Sequence, residues 1–186
     1  MPNEFQSLRG QLLLDGGQLQ GSSFHRAVVL ICHHNDEGAF GLILNQKSPS
    51  TVAEVLDGDF PPGLKAENLF IGGPVQGSTL SYLHSDNFLL RANVLPNLHL
   101  GHTVEEVIEL GDSMSTTQRL RIFAGYSGWG AGQLEGEMKR GAWLLEPATL
   151  DLIFEEEVET LWKKILLTQG WKERVLANSP DNPTSN

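Results

Sequence analysis

The run Gly125-Tyr126-Ser127-Gly128-Trp129-Gly130-Ala131-Gly132-Gln133-Leu134-Glu135-Gly136-Glu137 holds the chain's densest set of residues with chemical potential. Glycines that precede a helix let backbone N–H groups converge, and the helix dipole there favours an anion. A small-anion or nucleotide site on this turn would use Gly128, Trp129, Gly130, Gly132 and Gln133, with Arg26 and His84 as polar side chains brought in by the fold. The familiar signatures fail at named positions. No Gly-Lys-Ser/Thr follows, so this is no Walker loop. From Gly128 the dinucleotide fingerprint needs glycine where Gln133 stands. A nucleophile elbow on Ser127 needs glycine two residues on, at the place of Trp129. The favoured reading is a strand-to-helix turn that lets Trp129 pack inward.

Other candidate groups are weaker. Glu135 and Glu137 resemble a carboxylate pair, but two helical steps separate side chains by about 200°. Gln133, Glu137 and Arg140 share one face and make the better polar set. His33, His34 and Asp36 alternate faces on a strand and no thiol or spaced histidine completes a tetrahedral set, so no metal site is expected. His84-Ser85-Asp86 contains triad residue types, yet triads assemble in space and not by adjacency. The single cysteine, Cys32, sits in the apolar run from Ala27 and reads as core.

These groups need elements to position them. Val28 to Cys32 is a β-branched run suited to a strand buried on both faces. Residues 27–45 read as a hairpin, with His33 to Gly38 as a tip longer than two residues. Pro49 after Ser48 predicts a helix start that Gly58 ends, and Asp57 to Lys65 reads as loop. Leu69 to Ile71 and Leu80 to His84 read as strands, the first stopped by Gly72-Gly73-Pro74. Thr103 with Glu106 predicts a capping box on a helix that Gly111 closes. Leu120 to Ala124 is a strand entering the glycine-rich motif, followed by a helix to about Arg140 and a strand over Ala142 to Leu145. Pro147 to Phe154 reads as a helical turn. Val158, Leu161, Trp162 and Ile165 predict a last helix over Glu155 to Gln169, with Glu155, Glu156 and Glu157 matching the dipole at its start. Short adjacent strands with few helices between them indicate α+β. One domain over residues 1–177 is expected, with a disordered tail over 178–186.

At 186 residues the chain buries about 70% of its unfolded surface without staples. Its formal charge of −10, with 23 acids and 13 scattered bases, argues against direct nucleic-acid binding. No apolar run approaches the ~20 residues of a membrane span, and the first residues lack a signal-peptide pattern. A cytoplasmic protein is expected.

Together the blocks resemble the AlgH/YqgE family of small bacterial proteins. The resemblance rests on Arg26 to Cys32, His34-Asn35, Gly38 to Asn45, Gly72-Gly73-Pro74-Val75, Leu83-His84-Ser85, Gly125 to Glu135 and Ala142-Trp143-Leu144. These cover about residues 10–170. Family members usually carry proline at Gly17, Asp-Pro at Gly21-Ser22, glutamate at His33 and alanine at Ser127. The last departure removes Ser127 as a family nucleophile. The resemblance implies an α+β fold in which a bifurcated, largely antiparallel sheet curls into a pseudo-barrel with helices packed outside. It brings no reaction and no cofactor, and the family name reflects a genetic link to alginate regulation in one bacterial group. The expected function is non-enzymatic, with a regulatory role exerted through a protein partner or small ligand. The alternative is an anion or nucleotide module, or an enzyme, on the Gly128–Gln133 turn.

Overall fold

The computed structural model describes residues 5–87, 89–113 and 117–180. Among the described residues nine strands form one sheet: β1 (Gln11–Asp15), β2 (Val28–Asn35), β3 (Gly38–Ile43), β4 (Lys47–Thr51), β5 (Asn68–Ile71), β6 (Val75–Ser85), β7 (Leu98–Gly101), β8 (Arg119–Gly130) and β9 (Trp143–Pro147). Seven helices accompany them: α1 (Val52–Val55), α2 (Pro62–Lys65), α3 (Val104–Asp112), α4 (Gln133–Lys139), α5 (Leu150–Phe154), α6 (Leu161–Thr168) and α7 (Trp171–Ala177). The class is α+β, as expected. The main strand order is β4-β5-β8-β3-β2-β1-β9, with β6 on β8 and β7 on β6. The sheet stays open, since β9, β4 and β7 each end a branch.

The branching happens on β8. One edge pairs with β6, from Ser85↔Arg119 to Leu80↔Ala124. The other edge serves two strands in turn. Phe123 and Ala124 run parallel to Phe70 and Ile71 of β5, and Ser127 to Gly130 run antiparallel to Gly41 to Gly38 of β3. Gly72 and Gly73 fill the fork. Gly72 donates its N–H to the Ala124 carbonyl at 2.9 Å, and its own carbonyl accepts from Ile43 N–H at 2.9 Å. The buried Ser127 hydroxyl adds a bond to that carbonyl at 3.0 Å. A Cβ on Gly73, whose φ is +154°, would lie 2.3 Å from Tyr126 backbone, so only glycine fits.

Strand alternation distributes the core. On β2, Val28, Leu30 and Cys32 join the cluster that also takes Ile153, Leu161, Trp162 and Ile165 from the C-terminal helices. Val29 and Ile31 face the other way, toward Trp129, Leu134 and Trp143. This is the two-faced burial the apolar run predicts. A third cluster, with Val52, Phe60, Leu64, Tyr82, Val107 and Ile122, lies under α1 to α3.

Several expected boundaries change. The β2–β3 hairpin turns on Asp36-Glu37 alone, because Asn35 pairs with Gly38 and the strand extends through both histidines. Pro49 lies inside β4, a sheet-edge strand where its missing N–H is tolerated. The helix begins at Val52 instead, after Thr51, whose N–H the Glu54 carboxylate accepts at 2.8 Å. Pro62 to Lys65, expected as loop, form α2. Gly111 lies within α3, and a Cβ there would meet Leu64 at 2.3 Å, so that glycine serves close packing rather than termination. The expected helix over Glu155 to Gln169 is a connector followed by α6. Val158 and Leu161 reach the same core from either side of that break, which preserves the helical spacing. The acidic triplet does not cap α6. Glu155 instead bonds Arg119 Nε at 2.5 Å, and Glu156 pairs with Lys164. β1, β7 and α7 have no counterpart in the sequence reading. Of the expected tail, residues 181–186 lie outside the described residues.

Candidate functional site

The glycine-rich stretch is mostly strand. Gly125 to Gly130 belong to β8, and the turn into α4 is only Ala131-Gly132, with Gly132 at φ +72°. One of its donors is engaged locally. Gly130 N–H donates to Gln133 Oε1 at 3.1 Å. Trp129 is 6% exposed and packs near Trp143 and Phe24. Its indole N–H donates to Glu137 Oε2 at 2.9 Å, and Trp143 donates to the same oxygen at 2.8 Å. Gln133 Nε2 donates to Glu137 Oε1 at 3.0 Å. Burial pulls the Glu137 carboxyl up, but the bonds from Trp143, Gln133 and Trp129 outweigh it and hold the group below the usual carboxylate range. The polar face of α4 is therefore real, and it organises two tryptophans.

Glu135 works on a different side, as the helical geometry requires. Its Oε1 lies 2.9 Å from Nε2 of buried His34, whose Nδ1 accepts Leu8 N–H at 2.9 Å. With Nδ1 accepting, Nε2 is the nitrogen that donates to Glu135. His33, one residue back, is exposed.

Arg26 and His84 stand apart from this turn. Arg26 is a non-glycine residue at φ +53°. Its N–H donates to buried Asp15 at 2.8 Å, its carbonyl accepts from Asn45 at 2.9 Å, and its guanidinium lies 5.0 Å from the Trp162 ring centroid. A guanidinium bond to the Ser179 carbonyl at 2.6 Å ties it to the end of α7. His25, which lines a cavity with Arg26, sits 3.7 Å from Asp15, so His25 and His84 face different cavities.

His84 lines a cavity of about 450 Å³ between β6, β7 and α3. Tyr82 and His84 are two apart on β6 and project to one face, opposite Gly101 and His99 of β7. Gly101 makes room for the Tyr82 ring, because a Cβ there would lie 2.2 Å from Tyr82 Cζ. Passing over it, the Tyr82 hydroxyl donates to Glu106 Oε2 of α3 at 2.7 Å, and Thr103 donates to the same oxygen at 2.7 Å. Glu106 thus serves side-chain hydroxyls, and the capping box is not made. These bonds hold its carboxyl below the usual range, while burial and the Glu106 bond push the Tyr82 phenol well above its own. Burial likewise lowers His84, with Asp86 opposing and His99 adding. Its Nε2 is buried with no hydrogen-bond partner among the described residues. His99 Nδ1 is 2.7 Å from the Arg91 carbonyl, and Leu89, Leu90 and Leu110 supply an apolar flank.

Sequence reasoning found His84 but not Tyr82, His99, Glu106 or Arg91. Only Glu106 carried a signal, as a presumed cap. The cavity depends on β7, which that reading lacked.

The AlgH-like family model matches residues 12–174. A UPF0301 protein of Chlorobium limicola is 37% identical across 100% of both chains. Another, from Cytophaga hutchinsonii, is 34% identical over 96% of this chain and 98% of its own. The solution structure of the AlgH protein from Pseudomonas aeruginosa superposes with a TM-score of 0.74 at 26% identity, covering 95% of this chain and 98% of that one. A Corynebacterium diphtheriae crystal structure shares the fold, with a TM-score of 0.76 at 20% identity over 95% of each chain. With its bifurcated sheet and its full-length relatives, the chain belongs to the AlgH-like family.

Proposed function

We propose that this protein is a non-enzymatic cytoplasmic binding module that takes a small ligand in the cavity between β6, β7 and α3, and exerts a regulatory role through it. The carrying observation is the wall of that cavity: a buried His84 whose Nε2 has no hydrogen-bond partner among the described residues, beside the Tyr82–Glu106 bond. A concave site with an apolar flank and a few convergent polar groups is the usual form of a small-molecule pocket. Burial holds His84 below the usual histidine range, and the Tyr82 hydroxyl donates to Glu106. The ligand class is a small molecule with an apolar portion for Leu89 and Leu110 and a polar end for His84 and His99.

A thermal-shift screen of metabolites tests this. A ligand at 100 times its dissociation constant raises stability by about 2.7 kcal/mol, and His84→Ala abolishes the shift. Metabolite turnover that His84→Ala removes would overturn the non-enzymatic reading. Binding that survives His84→Ala but is lost in Gln133→Ala would move the ligand to the Gly128–Gln133 turn.

A further inference from the structure

A second cavity lies on the opposite face of β8. Alternate residues of a strand point to opposite sides. Leu120 and Ile122 accordingly pack in the cluster under α1 to α3, whereas Phe123 joins the core with the C-terminal helices. Arg121 shares the Phe123 side. Its guanidinium lies 4.3 Å from the Phe70 ring centroid and 5.9 Å from that of Phe154. Those two rings hold the plane of a side chain that is otherwise long and mobile. Its Nη1 donates to the Leu44 carbonyl at 3.3 Å. That is its one hydrogen bond among the described residues, although a guanidinium carries five N–H donors.

The cavity in front of it measures about 310 Å³, with Lys47 and Arg119 at its walls. Against these three cations stand two carboxylates, Glu67 and Glu155. Glu155 is committed to Arg119, Oε1 to Nε at 2.5 Å. On a chain of formal charge −10, a concavity richer in cations than in acids runs against the background. Burial also lowers the Arg121 guanidinium to about 10, with Glu155 opposing. It remains charged at pH 7, in a place where a charge gains from a partner.

We propose that this cavity binds a small oxyanion, a carboxylate or phosphate group, through the free N–H edge of Arg121 with Lys47 and Arg119 beside it. A planar guanidinium matches two oxygens of such a group bidentately, and aromatic stacking pre-organises the fork. Lys47 comes from the sheet-edge strand β4, and Arg119 from the first position of β8. The three cations converge only because β4 and β8 both flank β5.

The test is titration of the full chain with inorganic phosphate and, separately, with succinate, followed by calorimetry and by the arginine side-chain N–H signals in NMR. Saturable binding that shifts the Arg121 signal is expected, with one anion preferred. The preferred one tells whether the natural ligand carries phosphate or carboxylate. Arg121→Lys keeps the charge but loses the fork, and should weaken binding by about tenfold, the worth of one charge-assisted hydrogen bond. Lys47→Gln, at an exposed position, should weaken it several-fold at unchanged Tm. It carries the test if the Arg121 variant fails to fold. Lys172→Gln, exposed and outside this cavity, should leave phosphate affinity unchanged. Absence of saturable binding by either anion overturns the proposal. So does wild-type affinity in both the Arg121 and Lys47 variants.

Discussion

Replacing Glu137 by alanine removes the one oxygen that accepts from both Trp129 and Trp143. The two rings are 6% and 3% exposed, so their N–H groups have little access to water once that oxygen is gone. Leaving a buried donor unsatisfied costs about 1–3 kcal/mol. Glu137 is itself partly exposed, which lets some water in and places the sum near ~3 kcal/mol, toward the lower end for two donors. For a domain of this length that lowers Tm by about 6–12 °C. Glu137→Gln keeps the shape and one acceptor, and should cost only ~1 kcal/mol. Urea unfolding followed by tryptophan fluorescence reads both values. A cycle with Trp129→Phe should give a coupling of about 1 kcal/mol. The carboxyl is held below its usual range in the folded chain, so its contribution is complete above the unfolded value of about 4.3. That contribution disappears as pH falls through the lower folded value. The stability gap between wild type and Glu137→Gln should therefore be flat from pH 7 to about 5, begin to narrow near the unfolded value of about 4.3, and close only below the lower folded value. A Glu137→Ala variant within about 0.5 kcal/mol of wild type would refute the shared-acceptor account.

His34→Ala should cost about 2–3 kcal/mol, since it opens a hole and strands the Leu8 N–H; hydrogen exchange at Leu8 reports the loss directly. Gly101→Ala puts a Cβ 2.2 Å from the Tyr82 ring, so the ring must leave Glu106. The measurable result is a Tyr82 phenol that titrates closer to its ordinary value by ultraviolet difference spectroscopy. Ser127→Ala should be mild, under about 1 kcal/mol, because the Gly72 carbonyl keeps the Ile43 N–H. A large destabilisation measured by thermal unfolding would show that the fork needs both bonds.

Apolar runs made some strands of the sheet legible, Val28 to Cys32 above all, although the equally apolar Leu12 to Leu14 of β1 was not read as a strand. Val28 to Cys32 had to be buried on both faces, and it is. At the periphery the edge strand β9 and helix α3 were legible too, but β7 was not. Leu98 to Gly101 is four residues long with a histidine and a glycine, so neither period nor propensity marks it, and only pairing with β6 makes it a strand. The connector at Glu155 was read as helix because Val158 and Leu161 keep helical spacing across a break.

The glycine-rich run shows the same division. Its residue types determined that backbone would lie close to backbone there, that Trp129 would pack inward and which family the chain resembles. Side-chain spacing on α4 also determined that Gln133 and Glu137 would cooperate while Glu135 turned away. Tertiary structure decided the rest. β8 must pass between β6 on one side and the β3–β5 fork on the other, so Gly125 to Gly130 are drawn into strand and the turn shrinks to two residues. His84, Tyr82 and Glu106 meet because β6 pairs with β7 and α3 packs behind them. Arg121, Arg119 and Lys47 meet because β4 and β8 flank β5. Such convergences depend on strand pairings far apart in the chain, and local periodicity carries no record of them.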